Sequence, residues 1–418
     1  MAIPSDALEP IPPAEPTPPA RRVPPGRWVK ENLFDGWFNS LLTMVVGLLL
    51  ALVVWRALRF VFVTGRWEIV RRNLILYMVG MFPRDQLVRL WVSLGVLAAT
   101  AGAFTGMNAA RLRRSEELAG PARSWRGPAQ TVWPWVLFGA VLLSMLRTPG
   151  PVLGALAVGV VAAAAHAGGR HVPPGVSRLS LPLVAVGAAG ALWSLVGLGG
   201  IGWDRWGGLL LTLFPALGGI LLSFPLGVAL GLGRRSSLPA VRVVCVGYIE
   251  LIRGVPLIAL LFMAAFALGF FLPPGAETPT LVMRAMVALV AFTAAYVAEI
   301  VRGGLQSVPR GQIEGAMALG LSPFVTTRRI VLPQALRAVI PALVGQFISL
   351  FKDTSLVFII GLTELLRVAE IVTSQPDFIA QGLLTESYVF ASLVYWTVAY
   401  SMSKASQRLE TRLGVGER

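Results

Sequence analysis

The feature that most constrains this chain is the repetition of long apolar runs. They lie near Leu41–Leu58, Leu87–Met107, Thr131–Leu146, Pro151–Ala167, Leu179–Leu198, Gly208–Leu232, Val255–Leu272, Leu281–Val301, Val339–Ile360 and Tyr388–Met402. Crossing a hydrocarbon core of ~30 Å takes about 20 apolar helical residues. Inside a bilayer only a helix or a closed barrel satisfies its own backbone. The alternating short segments of a barrel are absent from the sequence. A length of 418 residues would suit two or three soluble domains, but 55% hydrophobic and 14% charged residues, with mean hydropathy +0.71, exclude that class. The expected fold is an all-α polytopic membrane protein with about ten transmembrane helices.

The net charge of +15 raises the question of nucleic acid. Basic residues collecting in cytoplasmic loops explain it better, so no nucleic-acid partner is expected. Arg234, Arg235 and Arg242 place their loop inside, and Pro273–Thr280, with Glu277 alone, lies outside. Arg310, Arg328 and Arg329 are inside, as are Lys404, Arg408, Arg412 and Arg418. Both termini are then cytoplasmic. One stretch opposes this order: Arg56, Arg59, Arg66, Arg71, Arg72, Arg84 and Arg89 fall outside by alternation. Either Leu74–Phe82 dips into the membrane or a span is misassigned. Residues 1–36 are Pro-rich and are expected to be a disordered cytoplasmic tail. A membrane extension of about five helices over 37–202, a five-helix core over 203–405 and a cytoplasmic tail over 406–418 follow.

The segment Glu314–Pro333, EGAMALGLSPFVTTRRIVLP, is a polar, basic island between apolar runs. Its spacing resembles the EAA loop of ABC importer membrane subunits, with Gly315 in place of the usual alanine, then Ala316, Gly320, Ile330, Leu332 and Pro333. Within the loop 308–333 a short helix over Val308–Leu319 is expected, ending at Gly320 in a left-handed cap. Pro323 prevents its continuation. Its small residues, Gly311, Gly315, Ala316 and Ala318, suit close docking to a partner. Glu314 pairs either with that partner or with an arginine of this chain. An ordinary basic cytoplasmic loop is the plainer alternative.

Flanking motifs sharpen the resemblance. Tyr296–Leu305 precedes the loop, Gln312 lies within it, Arg253-Gly254-Val255-Pro256-Leu257 opens an earlier helix, and Lys352-Asp353-Thr354-Ser355-Leu356 lies in a later one. These resemble the polar amino-acid (histidine/glutamine permease) branch. Val29–Phe34 and the long extension are similar to the M-type subunit of the general L-amino acid permease. The resemblance implies a type I ABC importer permease core and a role in L-amino-acid uptake across a bacterial inner membrane. It implies a separate ATPase dimer that uses the ATP, a second permease chain and a periplasmic amino-acid-binding protein. The ATPase-coupling residues would be Gly311, Gln312, Glu314, Gly315, Ala316 and Gly320.

Candidates for the substrate pathway are Tyr296, Glu299, Lys352, Asp353, Thr354 and Ser355. Glu299 with Tyr296 would supply the acceptor for the ammonium and the donor for the carboxylate of a zwitterionic substrate; a helix-end Glu299–Arg302 ion pair is the alternative. Lys352 and Asp353 are intramembrane charges, which face a cavity or each other. Thr354 and Ser355 can satisfy an opened backbone in either case. Cys245 is the sole cysteine, and His166 and His171 lack a ligand cluster, so no metal site is expected. No Gly-Lys dipeptide, hence no phosphate loop, and no catalytic constellation occurs; the chain reads as a transporter subunit, not an enzyme, with no cofactor of its own. The competing class is an ion-coupled secondary transporter, which often shows inverted repeats.

Overall fold

A computed structural model describes residues 24–119, 150–173, 176, 179–197 and 201–414. The expected span Thr131–Leu146 and residues 1–23 lie outside the described residues. Among the described residues the regular elements are helices, with one isolated bridge between Gly208 and Glu364. The chain forms two compact units, Met1–Gly65 and Arg66–Arg418.

The first unit contains α1 (Pro25–Leu33) and α2 (Trp37–Arg59), the latter continued to Thr64 by a widened turn. The expected disorder up to residue 36 therefore does not hold for α1. Pro25 sits at the first helical position, where a missing N–H costs nothing. Arg27 pairs with Glu31 one turn on at 2.7 Å, and Thr43 of α2 donates to the Leu33 carbonyl at 2.6 Å.

The second unit opens with α3 (Glu68–Val79), α4 (Leu87–Ala119), α5 (Gly150–Gly169) and α6 (Ser180–Val196). It continues with α7 (Gly208–Gly233), α8 (Pro239–Gly254), α9 (Leu257–Phe262), α10 (Leu281–Ser307), α11 (Arg310–Ala318) and α12 (Pro323–Thr326). It closes with α13 (Leu332–Asp353), α14 (Leu365–Ile371) and α15 (Leu384–Leu413). Among the described residues five stretches are long and apolar enough to span: Trp37–Thr64, Arg84–Ala110, Gly208–Gly233, Leu281–Ser307 and Pro323–Ile360. The bent pair α8–α9 makes a sixth if counted as one span, and Ala157–Gly169 and Pro182–Val196 are shorter apolar helices.

The expected span Val255–Leu272 starts at a 105° bend between α8 and α9. Val255 is extended (φ −103°, ψ 134°), as a residue before proline tends to be, and Pro256 starts the new direction. The core packs α7 lengthwise against α10, with Gly227 lying so close that a Cβ there would meet Val297 at 2.5 Å. A helix of α7's 26 residues rises ~39 Å, so its ends mark the two ends of the core. Val297, Val301, Leu305, Val331 and Ala335 are buried together at the Gly233 end, next to α11. Val79, Phe82, Leu211 and Val282 are buried together at the Gly208 end.

Helix α3 belongs to that second end and carries part of the arginine-rich stretch. Its 12 residues rise ~18 Å, too little to cross a membrane. It stacks on the start of α7 and against α14 and α15, burying Ile69, Val70, Asn73 and Tyr77. Arg66, Arg71 and Arg72 stay exposed, with Arg66 donating to the Gln381 carbonyl and Arg72 pairing with Asp377 at 3.5 Å. The sequence suggests a division near residue 203, yet this element N-terminal to it is packed into the same unit as α7–α15.

Candidate functional site

Helix α11 is shorter than expected by two residues at its start and one at its end. Its C-terminus has the Schellman pattern: the Leu321 N–H donates to the Ala316 carbonyl at 3.1 Å and the Gly320 N–H to Met317 at 2.9 Å. Gly320 has φ +76°, the left-handed conformation that favours glycine. Pro323 does more than stop α11. It is the first residue of α12, whose N-cap Ser322 accepts from the Val325 N–H at 3.4 Å.

The helix period divides α11 into two faces. Ile313 and Ala316 turn inward, with Ala316 only 3% exposed and Ile313 packed beside Val301 and Val331. Ala316 therefore supports the helix from its own core and is not exposed on its outer face. Gly311, Gly315 and Ala318 share the outer face at i, i+4 and i+7, and Gln312 and Glu314 are exposed beside them. Nothing lies within 4 Å of a Cβ at Gly311 or Gly315. Met317, Leu319 and Phe324 are apolar yet 55%, 82% and 71% exposed around this face. Among the described residues Glu314 makes no ion pair.

Above α11, Glu299 is the hub of an arginine cluster. Its carboxylate meets Arg302 at 2.5 Å, Arg234 at 3.3 Å and Arg253 at 3.7 Å, while Arg234 also reaches Glu250 at 3.0 Å. Arg253 lies over the Tyr296 ring at 5.6 Å. Both Glu299 oxygens are taken by guanidinium groups from α10, from the α7–α8 connection and from the end of α8. This geometry favours the ion-pair alternative over an ammonium site made by Tyr296 and Glu299.

Lys352 and Asp353 do not pair with each other. They end α13, after which Thr354–Ile360 tightens into a 3₁₀ helix. Thr354 is fully buried and donates to the Phe351 carbonyl at 2.6 Å; Ser355 is half-buried. Lys352 is exposed, at the end of a stripe of exposed small or polar residues: Ala338, Ala342, Gly345 and Ser349. The exposed residues of α7 are of another kind, Leu217, Leu221 and Leu222.

Two polar groups escaped sequence reasoning. Glu364 is fully buried and accepts from the Leu366 and Arg367 N–H groups at 2.7 and 2.8 Å and from the Tyr395 hydroxyl at 2.9 Å. Thr212 of α7 accepts from the adjacent Leu365 N–H at 3.1 Å. The signal was a Thr-Glu pair just ahead of an apolar run, the pattern of a helix start. Arg284 of α10 donates to the Ala265 carbonyl in the widened turn Met263–Ala267. Such a turn breaks the regular ladder of helical hydrogen bonds.

The family described as binding-protein-dependent transport system inner membrane component matches residues 223–415, from within α7 to past α15. The glutamate/glutamine/aspartate/asparagine transport system permease protein BztC of Rhodobacter capsulatus is 36% identical over an alignment that takes in 92% of this chain and 93% of that protein. The chain belongs to the amino-acid ABC transporter permease family. The inner membrane amino-acid ABC transporter permease protein YhdY of Escherichia coli is 50% identical over 212 residues, so that the match spans 57% of that protein's length. The probable glutamine ABC transporter permease protein GlnP of Bacillus subtilis is 40% identical over 208 residues, half of this chain and 92% of that one. Among solved structures, the crystal structure of an amino acid ABC transporter with histidines is 31% identical, with 49% of this chain and 91% of that chain covered and a TM-score of 0.43. This permease is thus a multi-pass membrane protein whose α11 and arginine cluster lie at one end of the core and whose α3 lies at the other.

Proposed function

We propose that this chain is the membrane-spanning subunit of an ATP-driven importer for polar L-amino acids. It forms the translocation pathway and couples to a separate ATPase dimer that uses the ATP. The observation that carries this reading is α11, a capped, core-backed helix that presents Gly311, Gln312, Glu314, Gly315 and the region of Gly320 outward, framed by exposed Met317, Leu319 and Phe324. Small residues let a partner's groove approach the backbone, and the unpaired Glu314 carboxylate suits a basic group there. Rigid-body motion of the ATPases would reach α10 and α13 through the contacts of Ile313 and Ala316.

The exposed stripe of α13 that ends at Lys352 supports a pathway or subunit contact on that face. A lysine facing hydrocarbon is costly, and small residues favour close helix packing. A second, similar permease chain completes the pore, and a binding protein delivers the amino acid at the α3 end. The arginine cluster and Arg328 support a cytoplasmic location for the α11 end at a bacterial inner membrane.

The test is Gly320→Val, since a β-branched residue at φ +76° is strained by about 1–3 kcal/mol. Membrane insertion should persist while ATPase copurification and ATP-dependent uptake fall. Normal uptake in this variant removes the coupling role.

A further inference from the structure

We infer that α3 is the first element of the permease core, positioning α14 and α15, and that residues 81–206 are an insertion between α3 and α7. This rests on the permease reading and concerns a part of the chain outside the matched family region 223–415.

The two ends of the 81–206 segment meet. A Cβ placed on Gly80 would collide with the backbone of Gly207, and one on Gly208 with the Tyr77 carbonyl. The chain therefore leaves the core at Gly80 and returns beside the same point, as an insertion into a continuous α3–α7 unit would. The match to GlnP covers 92% of that protein with half of this chain, so a near-complete relative needs no segment of that length.

Helix α3 is held as a core element is held. The Tyr77 hydroxyl bonds the Ser387 hydroxyl, which donates onward to the Ala369 carbonyl, linking α3 to α15 and α14. The Tyr77 ring meets Phe390 edge-on at 5.1 Å, and Tyr77 has no exposed surface. Gln375 donates to Asn73 at 2.8 Å. Burial pushes the Tyr77 phenol up to about 12, so its O–H keeps its proton near neutral pH. The contacts converge on the turn between α13 and α15, which also carries the Glu364 network. A strut there fixes α7, α14 and α15 as one block at the end of the core away from α11.

The test keeps the full chain in its complex. Site-specific protease sites are inserted after Pro83 and after Gly202, and the uncut complex is first assayed for ATP-dependent uptake. After both cuts, the fragment that carries α3 should copurify with the α7–α15 fragment in mild detergent, and reconstituted uptake should stay within about twofold of the uncut value. Tyr77→Ala in the same background should cut retention at least about tenfold, because it truncates a fully buried aromatic ring. This also separates retention by α3 from retention through α2. Tyr77→Phe keeps the ring, so retention should persist while the maximal uptake rate falls about threefold at an unchanged half-saturating substrate concentration. Loss of the α3 fragment or of uptake from the cut parent overturns the inference, as does full retention in Tyr77→Ala. A Tyr77→Phe rate equal to the parent's overturns the positioning role. An uncut complex without ATP-dependent uptake refutes the permease reading instead, and fragment retention then decides the place of α3 by itself.

Discussion

Glu364 shows what a single buried group does in this fold. Its two oxygens serve the N-terminus of α14 and the Tyr395 hydroxyl at once. Glu364→Ala strands all three donors in the interior and should cost about 3 kcal/mol or more, whereas Tyr395→Phe removes one bond and should cost about 1 kcal/mol. Thermal unfolding of the purified protein in detergent checks this; an unchanged midpoint for Glu364→Ala contradicts the assigned network. Legibility at this scale depends on sequence distance. The cap at Gly320 and the Glu299–Arg302 pair lie within one helical turn and can be read from spacing. Arg234, Glu250 and Arg253 join that pair from other elements, and Glu364 meets Thr212 and Tyr395 only after folding, so no local pattern announces them.

The elements themselves were mostly written in the apolar runs, since each long run returns as a helix wherever it is described. The failures have local causes. Pro24 and Pro25 signal disorder in composition but start α1 by position. Helix α3 is too polar on one face to register as a span and too short to cross, so the arginine rule had nothing to attach it to. Its place at the Gly208 end of α7 leads to a topology prediction. In a Cys245→Ser background, Arg71→Cys and Glu277→Cys should react with an impermeant thiol reagent from one side of the membrane. Arg328→Cys should react only from the other, cytoplasmic side. Labelling of positions 71 and 328 from the same side overturns the orientation.

At the scale of the molecule, the transport reading requires a route along an otherwise apolar bundle, and α13 offers its face of small residues ending at Lys352. Lys352 is exposed at the end of that face, and it and its neighbour Asp353 form no salt bridge. A mutual ion pair would have made their role one of packing alone. Removing one charge leaves the other in a low-dielectric region, so single variants confuse misfolding with lost function. The double replacement Lys352→Met with Asp353→Leu removes both charges and keeps similar volume. If the face only packs, the double variant assembles and transports normally. If it lines the pathway, the variant assembles and binds the ATPase, but substrate uptake falls at least about tenfold, equivalent to 1.4 kcal/mol on the limiting step. We expect the second result, since a charge on an exposed membrane-helix face is costly unless water, substrate, a partner chain or the membrane interface meets it. Uptake in reconstituted vesicles, normalised to copurified ATPase, separates the two, and parental uptake by the double variant ends the pathway assignment.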